Sequence, residues 1–457
     1  TKVKSRIIQV QYTEKIQQFL DYSKKRDLSP KSSPTLLHFL YSQQHIHTYQ
    51  KMKLSSAAYL LMAAGNALAF QPTSFLGNQA FTPSSSSTRS TGTGTGTGTS
   101  ALSMVTTGPL KCRPIGIGSA APKTVITNVD LESVVETNDE WIRSRTGISE
   151  RRVLLHPNAD YNTEKDGEFE SIRTLASDAA SNALEMSGLS PDDIDLVIVA
   201  TSSPDDMFGD ATSVAAALGC KNAVAFDLTA ACSGFLFGAV TAGQFLTNDG
   251  NTYNNAIVVG ADALSRWIDW EDRNSCILFG DGAGAVVLTA TDDVGDAGIL
   301  GSSVHSNGLG YKDLNCRYAG EPVQVATPGE GTQLGSGSYD NLAMNGNEVY
   351  KFATRQVPKV IKEALVAADM EVEDVDWLLL HQANIRIMET VASRLGIPME
   401  KVITNLSKYG NTSAGSIPLA LDEAVRTGQV KEGDVIACAG FGAGLSWGSA
   451  IFKWGGK

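Results

Sequence analysis

LSPDDIDLVIVA at Leu189–Ala200 and MEVEDVDWLLLH at Met370–His381 read as one passage written twice. Each is an acidic turn followed by a short, unbroken apolar run, the pattern of a strand buried on both faces. Ala183, Leu184, Asp193 and Asp195 recur 181 positions later as Ala364, Leu365, Asp374 and Asp376. Helical apolar spacing precedes both copies, over Ile172–Gly188 and Val357–Asp369. A second echo, FGDGAGAVVL (Phe279–Leu288) against FGAGLSWGSAIF (Phe441–Phe452), repeats a glycine-rich turn that leads into a strand. Two echoes in the same order argue for duplication. Helices alternating with apolar strands predict sheets covered on both faces. The expected body is two α/β halves, 110–291 and 294–457, packed together.

Between the copies lies AFDLTAACSGFLFGAV (Ala225–Val240), a strand-like start, a small-residue turn and a run that is apolar all round. Such a run, if helical, is buried. Cys232 then sits at a helix start, where unpaired N–H groups and the helix dipole are expected to lower its pKa. His381 ends the second copy's strand, and open α/β sheets bear their sites at such strand ends. Asn411 precedes a helix in SKYGNTSAGSIPLALDEA, as Cys232 does in the other half. Taken singly, these three read as a buried apolar thiol, a satisfied core histidine and an N-cap. Duplication places all three at strand ends and helix starts, where one cleft between the halves gathers them.

The composition is that of a globular protein, 42% hydrophobic and 19% charged. The net charge of −12 is carried after Asp130, since no Asp or Glu lies between Asp27 and Asp130. An acidic body argues against nucleic acid and against a membrane surface as partner. The six cysteines (112, 220, 232, 276, 316, 438) show no CxxC and no spacing with His, so neither a metal site nor a disulfide scaffold is expected. Residues 1–51 form an unassigned leader, expected to be disordered. Met52 onward reads as a basic start and a short apolar core ending Ala67-Leu68-Ala69, a secretory signal pattern. The acid-free, Ser/Thr/Gly-rich stretch up to residue 109 has the composition of a transit peptide. Together they resemble the two-part presequence of algae with secondary plastids; a secreted protein with a flexible linker is the alternative.

TAACSGF, GDGAGAVVL, MNGNEVYK, HQANIRI, GNTSAGS and FGAGLSWGSA, in this order and with DEWIRSRTGI at Asp139–Ile148, resemble ketoacyl-acyl-carrier-protein synthase III of the thiolase superfamily. The resemblance runs from Leu110 to Lys457. It implies a thiolase-like α/β fold of two duplicated halves in an α/β/α/β/α body. It also implies condensation of acetyl-CoA with malonyl-acyl-carrier protein, with loss of CO₂, through a thioester on Cys232. His381 and Asn411 are then expected to donate hydrogen bonds to the malonyl thioester oxygen as charge develops, and Ala443 to supply an oxyanion-hole N–H. Phe441 is expected to shield the thiol from water.

The same resemblance assigns Thr137, Trp141, Arg145, Arg266, Gly346 and Asn347 to the CoA channel, with Trp141 and Arg266 sandwiching the adenine. Lys351, Arg386 and Arg394 match a basic patch for the carrier protein. Phe208 matches a residue reaching into a partner subunit's acyl pocket, which implies a homodimer. No permanent cofactor and no metal are implied; acetyl-CoA enters as substrate. The loop His156–Phe169 has no assigned role. Other readings are a polyketide-type starter synthase, a thiolase using Cys438 as second cysteine, and a non-catalytic carrier-protein binder.

Overall fold

The computed structural model describes residues 103–155, 170–247, 252–292, 298–325 and 332–455. The leader, the presequence up to residue 102 and the whole of the 156–169 loop lie outside the described residues. Strands β2 (Cys112–Ala120), β3 (Leu196–Ala200), β4 (Val224–Leu228), β5 (Asn255–Ala263) and β6 (Asp281–Ala290) form one sheet in the order β2-β6-β5-β3-β4. A second sheet contains β1 (Ser103–Thr107), β7 (Gly298–Ser306), β8 (Trp377–Leu380), β9 (Val402–Ile403), β10 (Val435–Gly442) and β11 (Ser446–Lys453). Its order is β1-β7-β11-β10-β8-β9. Apart from β1 the two orders are the same, and so are the directions. In each sheet three strands run parallel (β5-β3-β4, β10-β8-β9) and the next two antiparallel.

The four echoed residues do the same work in both halves. Ala183 and Leu184 are buried on α2 (Ile172–Ser187), and Ala364 and Leu365 on α5 (Gly346–Ala367). Asp193 and Asp374 close their acidic turns by accepting from the backbone N–H of Ser190 and of Glu371, each at 2.9 Å. Asp195 accepts from Asn254 and Asn255 at the start of β5, and Asp376 from Val435 at the start of β10. Each aspartate therefore sets the register between its own strand and the parallel neighbour.

Strand side chains alternate between a central core and two outer ones. Leu196 and Ile198 join Leu379, Ile436 and Cys438 in the centre, around α4 (Gly234–Leu246) and α7 (Ser416–Arg426). Val197 and Val199 face α2 and α3 (Ala211–Leu218) on one outside. Leu378, Leu380 and Ala437 face α5 and α6 (Ile385–Leu395) on the other. Full burial of both strand faces explains the unbroken apolar runs.

Two boundaries differ from the sequence reading. Ser103–Thr107, inside the stretch read as low-complexity presequence, is an edge strand paired antiparallel with β7. Its β-branched Thr106 and Thr107 suit an edge, and Thr107 Oγ1 lies 2.7 Å from Ser302 Oγ. α5 begins at Gly346 rather than Val357, capped by Asn345 and continuous through Pro358. Its first turn, Gly346-Asn347-Glu348, is polar and exposed, while Val349 and Ala353 already face the core.

Helix α2 lies so close to β2 that a Cβ added at Gly118 would come 2.4 Å from Ala183 N and 2.5 Å from Ala179 O. Both are backbone atoms of a helix flanked by sheet, and neither can yield cheaply. Gly118→Ala is expected to cost about 2 kcal/mol or more, read as a lower urea midpoint at unchanged slope.

Candidate active site

Cys232 lies in a single 3₁₀ turn, Ala231–Ser233, between the end of β4 and the start of α4. Ala231 carries φ +48°, a left-handed value unusual for a residue with a Cβ. The turn is stapled to the other half through Ser446 at the start of β11. Ser446 Oγ lies 2.7 Å from Ser233 Oγ, 3.0 Å from Ala230 O and 3.2 Å from Ala443 O. Ala443 is thus tied to the cysteine turn. It is absent from the positive-φ residues, while Gly444 beside it takes φ +126°, so its Cβ is tolerated. Strand β10 abuts the turn through glycine, since a Cβ at Gly442 would come 2.6 Å from Cys232 N.

The segment 411–416 carries the contacts from the second half. Asn411 is anchored by its backbone, donating to Leu278 O at 2.8 Å and accepting from Gly280 N at 3.0 Å. Its Oδ1 accepts from Ser413 N at 2.9 Å, which turns the Nδ2 donors the other way. Ser413 Oγ lies 3.2 Å from Cys232 Sγ. His381 follows β8, its N–H donating to Ala439 O, and its Nδ1 lies 2.7 Å from Ser416 Oγ. The imidazole meets Phe441 edge-on at 5.2 Å, and Phe441 lies on β10 between the glycines that face Cys232 and Ser233. Cys232, Asn411, His381, Phe441 and Ala443 are therefore one connected cluster.

Burial sets its electrostatics. Cys232 is 7% exposed, and desolvation pushes its thiol up to about 12, with the Asp262 carboxylate adding to the rise. The lowered pKa expected from the helix start is not what this site has. Taking the sulfur out of water outweighs the dipole and the Ser413 contact. The same burial brings His381 down to about 3, so its ring is neutral. Cys438 is fully buried among the apolar side chains of the central core, and its thiol is also pushed up.

Trp141 stands on α1 (Asp139–Thr146), whose N-cap is Asn138. The Arg145 guanidinium lies 4.8 Å from its ring centroid and that of Arg273 4.2 Å. Arg266 pairs with Asp205 at 2.8 Å. Arg273 also donates to Glu136 O and lines a cleft with Val134, Val135, Glu136 and Glu271. Thr137 borders this segment with its Oγ1 buried and unpartnered. Gly346 and Asn347 open α5 and are exposed.

Arg386 donates to Ser144 O on α1, Arg394 to Thr354 O on α5, and Lys351 pairs with Glu348. Of the three, Arg386 borders the Trp141 helix. Phe208 is 95% exposed on a loop beside the edge strand β4. Ser413, Ser416 and Ser446 contact the cluster directly and Asp262 accepts from the neighbouring Ala414 N; none of these was singled out in the sequence. Asp262 did leave a signal, as the lone acid in the buried run Ala256–Ala263.

Residues 226–308 match the 3-oxoacyl-[acyl-carrier-protein] synthase III family and residues 365–454 its C-terminal part. A β-ketoacyl-[acyl-carrier-protein] synthase III of Microcystis aeruginosa is 54% identical over 340 residues, 74% of this chain and 96% of that protein. Its counterpart in Acaryochloris marina is 52% identical over 339 residues, again 74% of this chain and 96% of the relative. The crystal structure of the synthase III from Aquifex aeolicus superposes with TM-score 0.65 at 40% identity, over 75% of this chain and all of that one. A priming β-ketosynthase of the R1128 polyketide pathway follows at 31% identity and TM-score 0.64, over 76% of this chain and 98% of that one. By fold, by sequence and by the length shared with these relatives, the chain belongs to the β-ketoacyl-[acyl-carrier-protein] synthase III family.

Proposed function

We propose that Cys232 receives the acetyl group of acetyl-CoA as a thioester, and that His381 and Asn411 then stabilise the carbanion formed as malonyl-acyl-carrier protein loses CO₂. Family membership makes the chain a condensing acyltransferase that opens type II fatty-acid synthesis. The division of labour rests on one observation. A single thiol stands in a connected cluster with a neutral imidazole and with an amide whose oxygen is already committed to Ser413 N. A Ser416 hydroxyl that donates to Nδ1 leaves the ring proton on Nε2. His381 Nε2–H and Asn411 Nδ2–H are then two fixed donors for the enolate oxygen, each worth ~3 kcal/mol in a dry site. The N–H groups of Cys232 and Ala443 are assigned to the acyl carbonyl oxygen, and Phe441 to shielding the sulfur.

The remaining assignments follow the resemblance and the surrounding geometry. Trp141 and Arg266 are taken as the two sides of the adenine sandwich, beside Thr137 and Arg145 and with Gly346 and Asn347 on the far wall; Arg273, which lies over the Trp141 ring, is the second reading for the place of Arg266. Lys351, Arg386 and Arg394 form the landing for an acidic carrier protein. The homodimer reading is supported by exposed Met207 and Phe208 beside the edge strand β4. The 110–291 and 294–457 halves are read as two copies of one ancestral unit. Plastid targeting is supported by the composition of residues 52–109 and by the cyanobacterial relatives. No described helix is long and apolar enough to cross a membrane.

Incubation with acetyl-CoA should add one acetyl group to Cys232, seen by mass spectrometry and absent in Cys232→Ser. His381→Ala should keep the adduct while condensation falls by about 10²–10³; equal loss of both steps would refute the role given to His381. With its ring neutral down to about pH 3, His381 should leave no inflection near pH 6.5 in the decarboxylation rate of the acetylated enzyme. For the cofactor end, Arg266→Ala should raise KM for acetyl-CoA about tenfold through the lost stacking. Arg273→Ala should change it less, and the reverse ranking would refute the Arg266 assignment in favour of Arg273.

A further inference from the structure

Behind the cysteine turn, a row of rings crosses the second sheet. His305 on β7 lies directly opposite Trp447 on β11, and Trp447 lies directly opposite Phe441 on β10. Residues opposite one another in antiparallel strands share a face, and their side chains meet. The His305 and Trp447 rings stack with centroids 5.0 Å apart and planes 7° apart, and Phe441 meets His381 edge-on at 5.2 Å. The outer end of the row is tied to helix α5. Glu363 Oε2 lies 2.6 Å from His305 Nε2 and accepts from Ser303 Oγ at 3.0 Å. We propose that Glu363 and His305 are positioning residues for the active site, holding Trp447 and, through it, Phe441 and Ser446. This rests on the reading of Cys232 as the acyl acceptor and Phe441 as its shield.

The pair stands in an apolar wall. Phe352 meets Trp447 edge-on at 5.1 Å, and Val360, Ile361 and Ala364 of α5 are buried in the same layer. An apolar side chain would fill the space of the His305 ring, and a polar pair inside such a wall adds little stability. What it adds is direction. A carboxylate only accepts, so the proton between the two groups is donated by Nε2. His305 Nδ1 is buried with no partner among the described residues, so the ring is oriented through Glu363 and Ser303. Of the two acids on α5, Glu348 pairs with Lys351 on the exposed side, and Glu363 is the one that reaches the sheet. Ser446 precedes Trp447 on β11 and therefore points to the opposite face. There its hydroxyl lies 2.7 Å from Ser233 Oγ and 3.0 Å from Ala230 O. A shift of Trp447 thus reaches the cysteine turn by two routes, across the sheet to Phe441 and along β11 to Ser446.

The test follows the acetyl adduct on Cys232 of the full chain by mass spectrometry after acetyl-CoA is removed, alongside steady-state condensation kinetics. Glu363 is 36% exposed and Ala is the best helix former, so Glu363→Ala keeps the fold. It should shorten the adduct's lifetime about tenfold by admitting water, and lower kcat about tenfold while KM for acetyl-CoA changes less than about twofold. Glu363→Gln still offers an oxygen to His305 Nε2–H and should restore both values. His305→Phe keeps a ring against Trp447 but loses the tether, and should behave as Glu363→Ala does. A pair that only stabilises the fold predicts a lower urea midpoint with lifetime and kcat unchanged. That result in Glu363→Ala or in a folded His305→Phe, or no recovery in Glu363→Gln, overturns the positioning role and leaves the reading of Cys232 intact. Should His305→Phe fail to fold, the two Glu363 variants decide. No acetyl adduct on Cys232 in the unsubstituted protein would remove the nucleophile reading and the positioning role with it.

Discussion

Each half of this molecule presses a glycine-bearing central strand against a backbone turn of the other half. A Cβ at Gly260 on β5 would come 2.2 Å from Ala414 O, and one at Gly442 on β10 would come 2.6 Å from Cys232 N. Between them, a Cβ at Gly415 would meet Gly282 O at 2.5 Å. Only residues without a side chain permit this approach, and the approach brings Ser413 Oγ to Cys232 Sγ. The site is therefore a consequence of how tightly two similar sheets close on two central helices. Loops contribute its rim.

That closeness dictates the chemistry available. A dry centre holds the thiol protonated and the imidazole neutral, so neither an ion pair nor a free thiolate is stored at rest. Neutral donors suit a reaction whose charge appears on a substrate oxygen and then moves on. The backbone around them is held against relaxation. Ala231 and Ser413 both occupy left-handed conformations, and Ser446, Asn411 and Ser416 each hold a neighbouring group by a short bond.

The outer end of the site follows a different logic. Trp141, Arg145 and Arg273 lie on short elements around a small satellite core, separate from the main layers. Arg266 and Arg273 are seven residues apart, and nothing local distinguishes them. The difference is made by Asp205, which captures Arg266 from a loop some sixty positions earlier in the chain. Long, flexible cations are assigned by whichever carboxylate reaches them, and that is decided in three dimensions.

The amino-acid sequence by itself determined the duplication, because buried parallel strands need unbroken apolar runs and their caps need aspartates at one spacing. It also pointed to the three residues proposed to carry the chemistry, since strand ends and helix starts have local signatures and the motifs around Cys232, His381 and Asn411 are dense. Only the tertiary structure decided the protonation of the thiol, the partners Ser413, Ser416 and Asp262, and the arginine beside Trp141. Desolvation and contact between residues distant in the chain are properties of the packed interior, as for Asp262 and Ala414, 152 positions apart. No stretch of chain carries them until the two halves meet.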